Sequence, residues 1–208
     1  MNNMKKILIL LIAVLTGIFS ASAQSNGLTK EIENTLKEQA MVKVNELTDH
    51  ISFLMKKSGY DNTVKEYHLR AALNLFVGGG RAYTDKWGNQ QRAAHMQVSR
   101  INRATSAVSI KEYPVSTYLS NLKYLDYDEI IITNSNSTCI GDVYKTGDGE
   151  YEAVLSWVQI FVGKKGDMTV YRDKTKKDIV VKMTRNEYDD GIVRWSVLLG
   201  DTTAAVTE

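Results

Sequence analysis

The chain has 208 residues, with 26 Lys+Arg against 24 Asp+Glu for a formal net charge of +2, and it contains 1 Pro and 1 Cys. Those figures exclude collagen-like, low-complexity, disulfide-framework and strongly basic nucleic-acid-binding chains. With 43% hydrophobic residues, they describe a soluble globular protein long enough to bury a real core.

Residues 1–23 read as a secretory signal peptide. Lys5 and Lys6 form a positive start, residues 7–15 an apolar stretch, and Ala21-Ser22-Ala23 a small-residue cleavage pattern before Gln24. The apolar stretch is short for a bilayer span, although an uncleaved anchor is the alternative. No Cys follows it, so a lipid anchor at this point is excluded. Losing the leader removes two lysines and no acid, which leaves 24 basic and 24 acidic residues. A balanced chain has no general attraction to nucleic acid or to anionic lipid. The expectation is export to the periplasm or out of the cell, with no nucleic-acid partner and no membrane span after leader removal. A lone cysteine cannot make an intrachain disulfide, and Cys139, within Ser137-Thr138-Cys139-Ile140, reads as a small buried hydrophobe on a strand.

Within 28–57 the apolar positions Leu28, Ile32, Leu36, Ala40, Met41, Val44, Leu47, Ile51, Leu54 and Met55 recur every three or four residues, which predicts one long amphipathic helix stopped at Ser58-Gly59. Asn62 or Thr63 is the expected cap of a second helix that carries Val64, Tyr67, His68, Ala71, Ala72, Leu75 and Phe76 and ends at Gly78-Gly79-Gly80. The period then changes to two: Ala94, Met96 and Val98 alternate with His95, Gln97 and Ser99. A second extended run covers 108–112, and Pro114 starts a short third helix with Val115, Tyr118, Leu119 and Leu122.

Only strand signals follow, over 129–134, 138–144, 151–162, 168–172, 178–184 and 192–199. Gly/Asp turns at 146–149, 163–166 and 189–191 favour an antiparallel meander. Residues 24–200 therefore read as one α+β domain, with N-terminal helices on a curved antiparallel sheet in the order α-α-β-β-α-β-β-β-β. Residues 201–208 are expected to be a disordered tail. The strand over 151–162 is apolar on both faces, with Tyr151, Ala153, Leu155, Trp157, Gln159 and Phe161 on one of them.

This order, with the Tyr113-Pro114-Val115 helix start and the long strand through Trp157, resembles the nuclear-transport-factor-two-like superfamily. That is the cone-shaped fold shared by ketosteroid isomerase and the SnoaL-like polyketide cyclases. The resemblance covers about 28–199 and, with the leader, implies an exported bacterial member. Members of the superfamily include enzymes, binding modules and dimerisation scaffolds, so the fold alone assigns no activity.

No G-x-S-x-G elbow is present, and Cys139 has no His near it in sequence. Gly78-Gly79-Gly80 follows a helix and lacks a Gly-Lys-Ser/Thr ending, which makes it a helix stop rather than a phosphate loop. His50 has no His or Cys three or four positions away, so no metal and no cofactor are expected. Isomerase chemistry needs a pocket carboxylate and a phenol. Tyr118, Asp128, Asp142 and Glu152 supply the residue types, but no catalytic residue can be assigned among them. The basic residues Lys164, Lys165, Arg172, Lys174, Lys176 and Lys177 crowd two neighbouring turns and, interleaved with Asp167, Asp173 and Asp178, read as solvated hairpin tips, with a small anion-binding end as the alternative. A pocket at the open end of the fold is expected to draw on Trp157, Gln159, Trp195, Tyr118 and His95.

Three readings stay open. The first is a non-enzymatic module for a small apolar or amphipathic ligand or a protein partner. The second is an isomerase or cyclase with a pocket carboxylate, and the third a structural homodimer paired through its sheet face.

Overall fold

The computed structural model describes residues 27–56, 61–101, 105 and 108–207; the leader-like segment 1–23, the Ser58-Gly59 stop and the Cys139 side chain lie outside the described residues. Helix α1 (Lys30–Met55) opens where the Thr29 hydroxyl accepts a hydrogen bond from the Ile32 amide at 3.3 Å. Glu31 and Glu33 sit in its first turn, where the helix dipole favours negative charge. Its stripe of Leu36, Ala40, Val44, Leu47, Ile51 and Leu54 is buried. At about 1.5–3 kcal/mol for each large side chain, this stripe fixes the helix on the sheet.

Helix α2 (Asn62–Asn74) is capped by Asp61, whose carboxylate accepts from the Val64 amide at 2.9 Å. This is one residue before the expected Asn62 and two before Thr63. Its glycine ending is a tight turn, Val77–Gly80, with φ of +62° at Gly78, +61° at Gly79 and +69° at Gly80. Three successive left-handed residues are accessible to glycine at little cost and to other residues only with strain.

After a two-residue hairpin, β1 (Tyr83–Thr84) with β2 (Gln90–Gln91), the chain forms β3 (His95–Ile101) and β4 (Val108–Pro114). Pro114 then caps helix α3 (Val115–Leu122), which buries Val115, Leu119 and Leu122. Four long strands complete the fold: β5 (Glu129–Gly147), β6 (Glu150–Lys165), β7 (Met168–Glu187) and β8 (Val193–Thr207). The architecture is α+β with the helices first, as the sequence pattern predicts.

The six-stranded sheet has the order β4-β3-β8-β7-β6-β5. All its pairings are antiparallel except β3 with β8, which run parallel with Met96 opposite Thr202. Register shifts interrupt β5 between Ser135 and Thr138 and again between Ile140 and Tyr144. Extra residues of this kind bend a strand without ending it.

Two expectations are corrected. The segment 173–177, expected as a turn, lies inside the continuous strand β7. The segment 201–207, expected as a disordered tail, is the second half of β8. There Thr202 pairs with Ile179 on one side and Met96 on the other, and Thr202 and Ala204 are buried. Backbone pairing to two neighbours holds this stretch, although its own side chains are small. No helix among the described residues is long and apolar enough to cross a membrane.

Candidate functional site

The site follows from the alternation of β6 and β7. On β6 the residues Tyr151, Ala153, Leu155 and Trp157 are buried in the main core, and on β7 so are Ile179, Val181 and Met183. The same two faces continue beyond Trp157. The register sets Trp157 opposite Lys177, Gln159 opposite Thr175, and Phe161 opposite Asp173. Here the sheet face stops being core and becomes the floor of a cavity of about 430 Å³.

Helix α3 contributes Tyr118, Asn121 and Leu122 to the cavity, and the hairpin of β3 and β4 contributes Val98, Ser99, Lys111 and Tyr113. Leu125 and Tyr127, just after α3, form part of the rim. Tyr127 lies edge-on to Phe161 at 5.9 Å between ring centres, and Phe161 meets Tyr171 edge-on at 5.7 Å. Gly163 makes room for this rim, because a Cβ there would come within 2.7 Å of the Tyr127 ring. The wall is thus a set of aromatic rings with a few polar groups between them, the usual make-up of a small-molecule pocket.

Its electrostatics centre on β7. Lys177 is 8% exposed as a whole residue and lines the cavity. Its Nζ lies 5.8 Å from the centre of the Tyr118 ring, and no hydrogen bond or ion pair to it is found among the described residues. Burial pushes the Lys177 amine down to about 8, with the Asp173 charge opposing the change. Asp173 is half-buried; desolvation raises its carboxyl above the ordinary range, while the Tyr171 hydroxyl, donating to Oδ2 at 2.7 Å, and the Lys177 charge pull it back. Burial drives the Tyr118 phenol up to about 12, and the Asp173 charge adds to the effect. A cation and a carboxylate without a direct bond therefore share one aromatic chamber.

The five residues expected in a pocket separate. Tyr118 and Gln159 line the cavity. Trp157 lies in the core beneath it, 4% exposed, and its Nε1 has no acceptor among the described residues. Trp195 is elsewhere, 5.5 Å from the Tyr151 ring and beside a shallow groove along α1 with Thr35 and Val42. His95 also lies apart: its backbone amide donates to Asp201 Oδ1 at 2.8 Å, and its Nδ1 contacts Arg92.

The candidate acids sit outside the cavity as well. Asp128 accepts from the Gly166 amide at 2.9 Å, Asp142 is exposed, and Glu152 faces Lys182 at 3.3 Å. Lys164 and Lys165 do occupy a solvated hairpin end, paired with Glu129 at 2.8 Å and Asp126 at 2.6 Å. Lys177 does not belong with them. The sequence reading groups it and Asp173 with the hairpin-tip charges and not with the pocket. The signal available was parity: 173, 175 and 177 extend the alternation of 179, 181 and 183.

The fold also joins two histidines that are 18 positions apart. Nδ1 of His50 on α1 and Nδ1 of His68 on α2 are 3.0 Å apart, and His68 stacks on Phe53 at 4.2 Å. Among the described residues no group of three or more His, Cys, Asp or Glu side chains gathers to hold a metal ion. Compared with models of protein families, with curated proteins and with solved structures, the chain matches none of them.

Proposed function

We propose that the protein is an exported, non-enzymatic module that binds a small molecule with an apolar body. The observation that carries this reading is the cavity of about 430 Å³ between α3, the β3–β4 hairpin and the β6–β7 floor, ringed by Tyr113, Tyr118, Tyr127, Phe161 and Tyr171. A space of that size suits one drug-sized ligand, and Ser99, Gln159 and Thr175 supply polar contacts to orient it. The Lys5-Lys6 start, apolar stretch and Ala21-Ser22-Ala23 pattern support export. The helices-first order with a Pro-initiated helix before four long strands supports a place near the nuclear-transport-factor-two-like superfamily.

The test uses Nile red, a neutral apolar dye, with the full chain. Saturable fluorescence enhancement is expected, and Val98→Phe, which narrows the cavity from β3, should abolish it while the melting transition stays cooperative. A dye that fails to bind, or that binds Val98→Phe equally well, would overturn the reading.

Asp173 favours a second reading, a proton-transfer enzyme, because a half-buried carboxyl raised by desolvation is what a general base in an isomerase requires. Its Oδ2 already accepts from Tyr171, which leaves Oδ1 for such work. Deuterium uptake from heavy water into a β,γ-unsaturated ketone, lost in Asp173→Asn with Nile red binding intact, would establish this reading over the first.

A further inference from the structure

We infer that the ligand of the cavity is a monocarboxylate whose acid group meets the Lys177 ammonium at the inner end while its apolar body lies among the aromatic rings. This rests on the binding-module reading and adds the polar half of the ligand to it. Lys177 occupies the floor position opposite Trp157, the last cross-strand pair before the closed core. At that depth the ammonium has three N–H donors to satisfy, and the cavity is the side from which an acceptor reaches them.

Around Lys177 the structure places the Tyr118 ring face at 5.8 Å and the Asp173 carboxylate near enough to affect its charge, but in no direct ion pair. Asp173 itself is four residues along the same strand, held toward the rim by the Tyr171 hydroxyl at 2.7 Å. A largely buried cation with no acceptor among the described residues rewards a ligand that brings one.

The charge count selects the class. Lys177 is the buried cation of the chamber, Lys111 lines it as an exposed residue, and Asp173 contributes a carboxylate. A monoanion balances the inner end. A phosphate dianion would bring a second negative charge toward Asp173, so a carboxylate is the better match. The lowered proton affinity of Lys177 agrees with this, since an anion at its side would restore the ordinary value.

The experiment titrates the full chain with two matched pairs, octanoate with octanamide and phenylbutyrate with phenylbutyramide, by calorimetry and by tryptophan emission. The acids are expected to bind at least roughly tenfold tighter than their amides, the increment of a charge-assisted hydrogen bond. Lys177→Met should erase the preference by weakening the acids and leaving the amides unchanged, and Lys177→Arg should retain part of it.

Acids and amides binding alike to the unaltered chain would overturn the inference and leave the binding-module reading standing. Acids that bind Lys177→Met as tightly as the unaltered chain would do the same. If neither acids nor amides bind at millimolar concentration while Nile red does, the carboxylate is again excluded. If nothing binds, both readings fall. The acid-against-amide comparison needs no variant, so a folding defect in Lys177→Met leaves the test intact.

Discussion

Replacing Lys177 by methionine should stabilise the ligand-free protein at neutral pH. The reasoning starts from burial: the residue is only 8% exposed, and Asp173 offsets only part of the desolvation cost. A fall from the ordinary 10.5 to about 8 corresponds to about 3 kcal/mol of preference for the unfolded chain, where the amine is protonated in water. Methionine keeps a long unbranched stem in the same slot and removes the charge. For a domain of this size, 3 kcal/mol is a rise in Tm of roughly 6–12 °C.

The pH dependence gives a sharper check. The folded value lies below the unfolded one, so the unfolded state holds the extra proton between about pH 8 and pH 10.5. Stability of the unaltered chain therefore gains from this group as pH rises through that window, and the full cost is present below it. Urea unfolding of both proteins at about pH 7 and about pH 10 should show the advantage of Lys177→Met shrinking at the higher pH. A variant less stable at neutral pH, or an advantage that stays constant with pH, would refute the reasoning, since the ammonium would then be well solvated or paired.

Deleting residues 201–208 should cost more than a tail would. It removes Thr202, through which β3 joins the sheet, and Asp201, which accepts from the His95 amide at 2.8 Å and from Arg92 at 2.5 Å. Amide hydrogen exchange should show the β3–β4 hairpin losing protection, and unchanged protection would mean the hairpin is held by α3 alone. Gly80→Ala should lower stability by about 2–4 kcal/mol in urea, because φ is +69° and the new Cβ would lie 2.5 Å from Leu73 Cδ2 and 3.0 Å from Val115 Cγ1. Loss below about half a kcal/mol would show that the turn relaxes freely.

His68 has its imidazole pushed down, first by burial and then by His50 and Lys56. The folded state thus resists the proton that the unfolded one accepts, and stability should decline as pH falls below about 6.5. His68→Phe keeps a ring against Phe53 and should flatten the acid slope of the urea midpoint; an identical slope would place the acid sensitivity elsewhere.

The parts of the fold legible in the sequence are those where one side of an element meets apolar core. The apolar stripe from Leu28 to Met55 repeats with the helical period, and all of it is buried except Ile32 and Met41, which are partly so. The alternation of Tyr151, Ala153, Leu155 and Trp157 likewise announces a strand whose odd face is core. Illegible parts are those where pairing with a neighbour, not side-chain burial, sets the conformation. In 173–177, Asp-Lys-Thr-Lys-Lys has the composition of a turn, yet β6 offers it an unbroken ladder from Val162 to Trp157. A strand of 16 residues such as β6 leaves edges open unless its partner is equally long, and β7 answers with 20. The pairing of His50 with His68 is equally hidden, because it depends on how two helices pack.

Tyr118 and Gln159 are legible as pocket residues, whereas the pocket role of Lys177 is hidden for the same reason that gives it one. A core strand continues its apolar alternation until it reaches solvent; β7 instead passes from Ile179 to Lys177 while the position is still buried. Local preference and global burial disagree at that one residue, and such disagreements concentrate where a protein does something other than fold. Trp157, directly opposite, could pack equally well against a leucine. An ammonium in that place lowers stability and gives the chamber a fixed charge. Stability and recognition pull against each other at Lys177, so measuring folding and acid binding on the same substitution separates the two contributions.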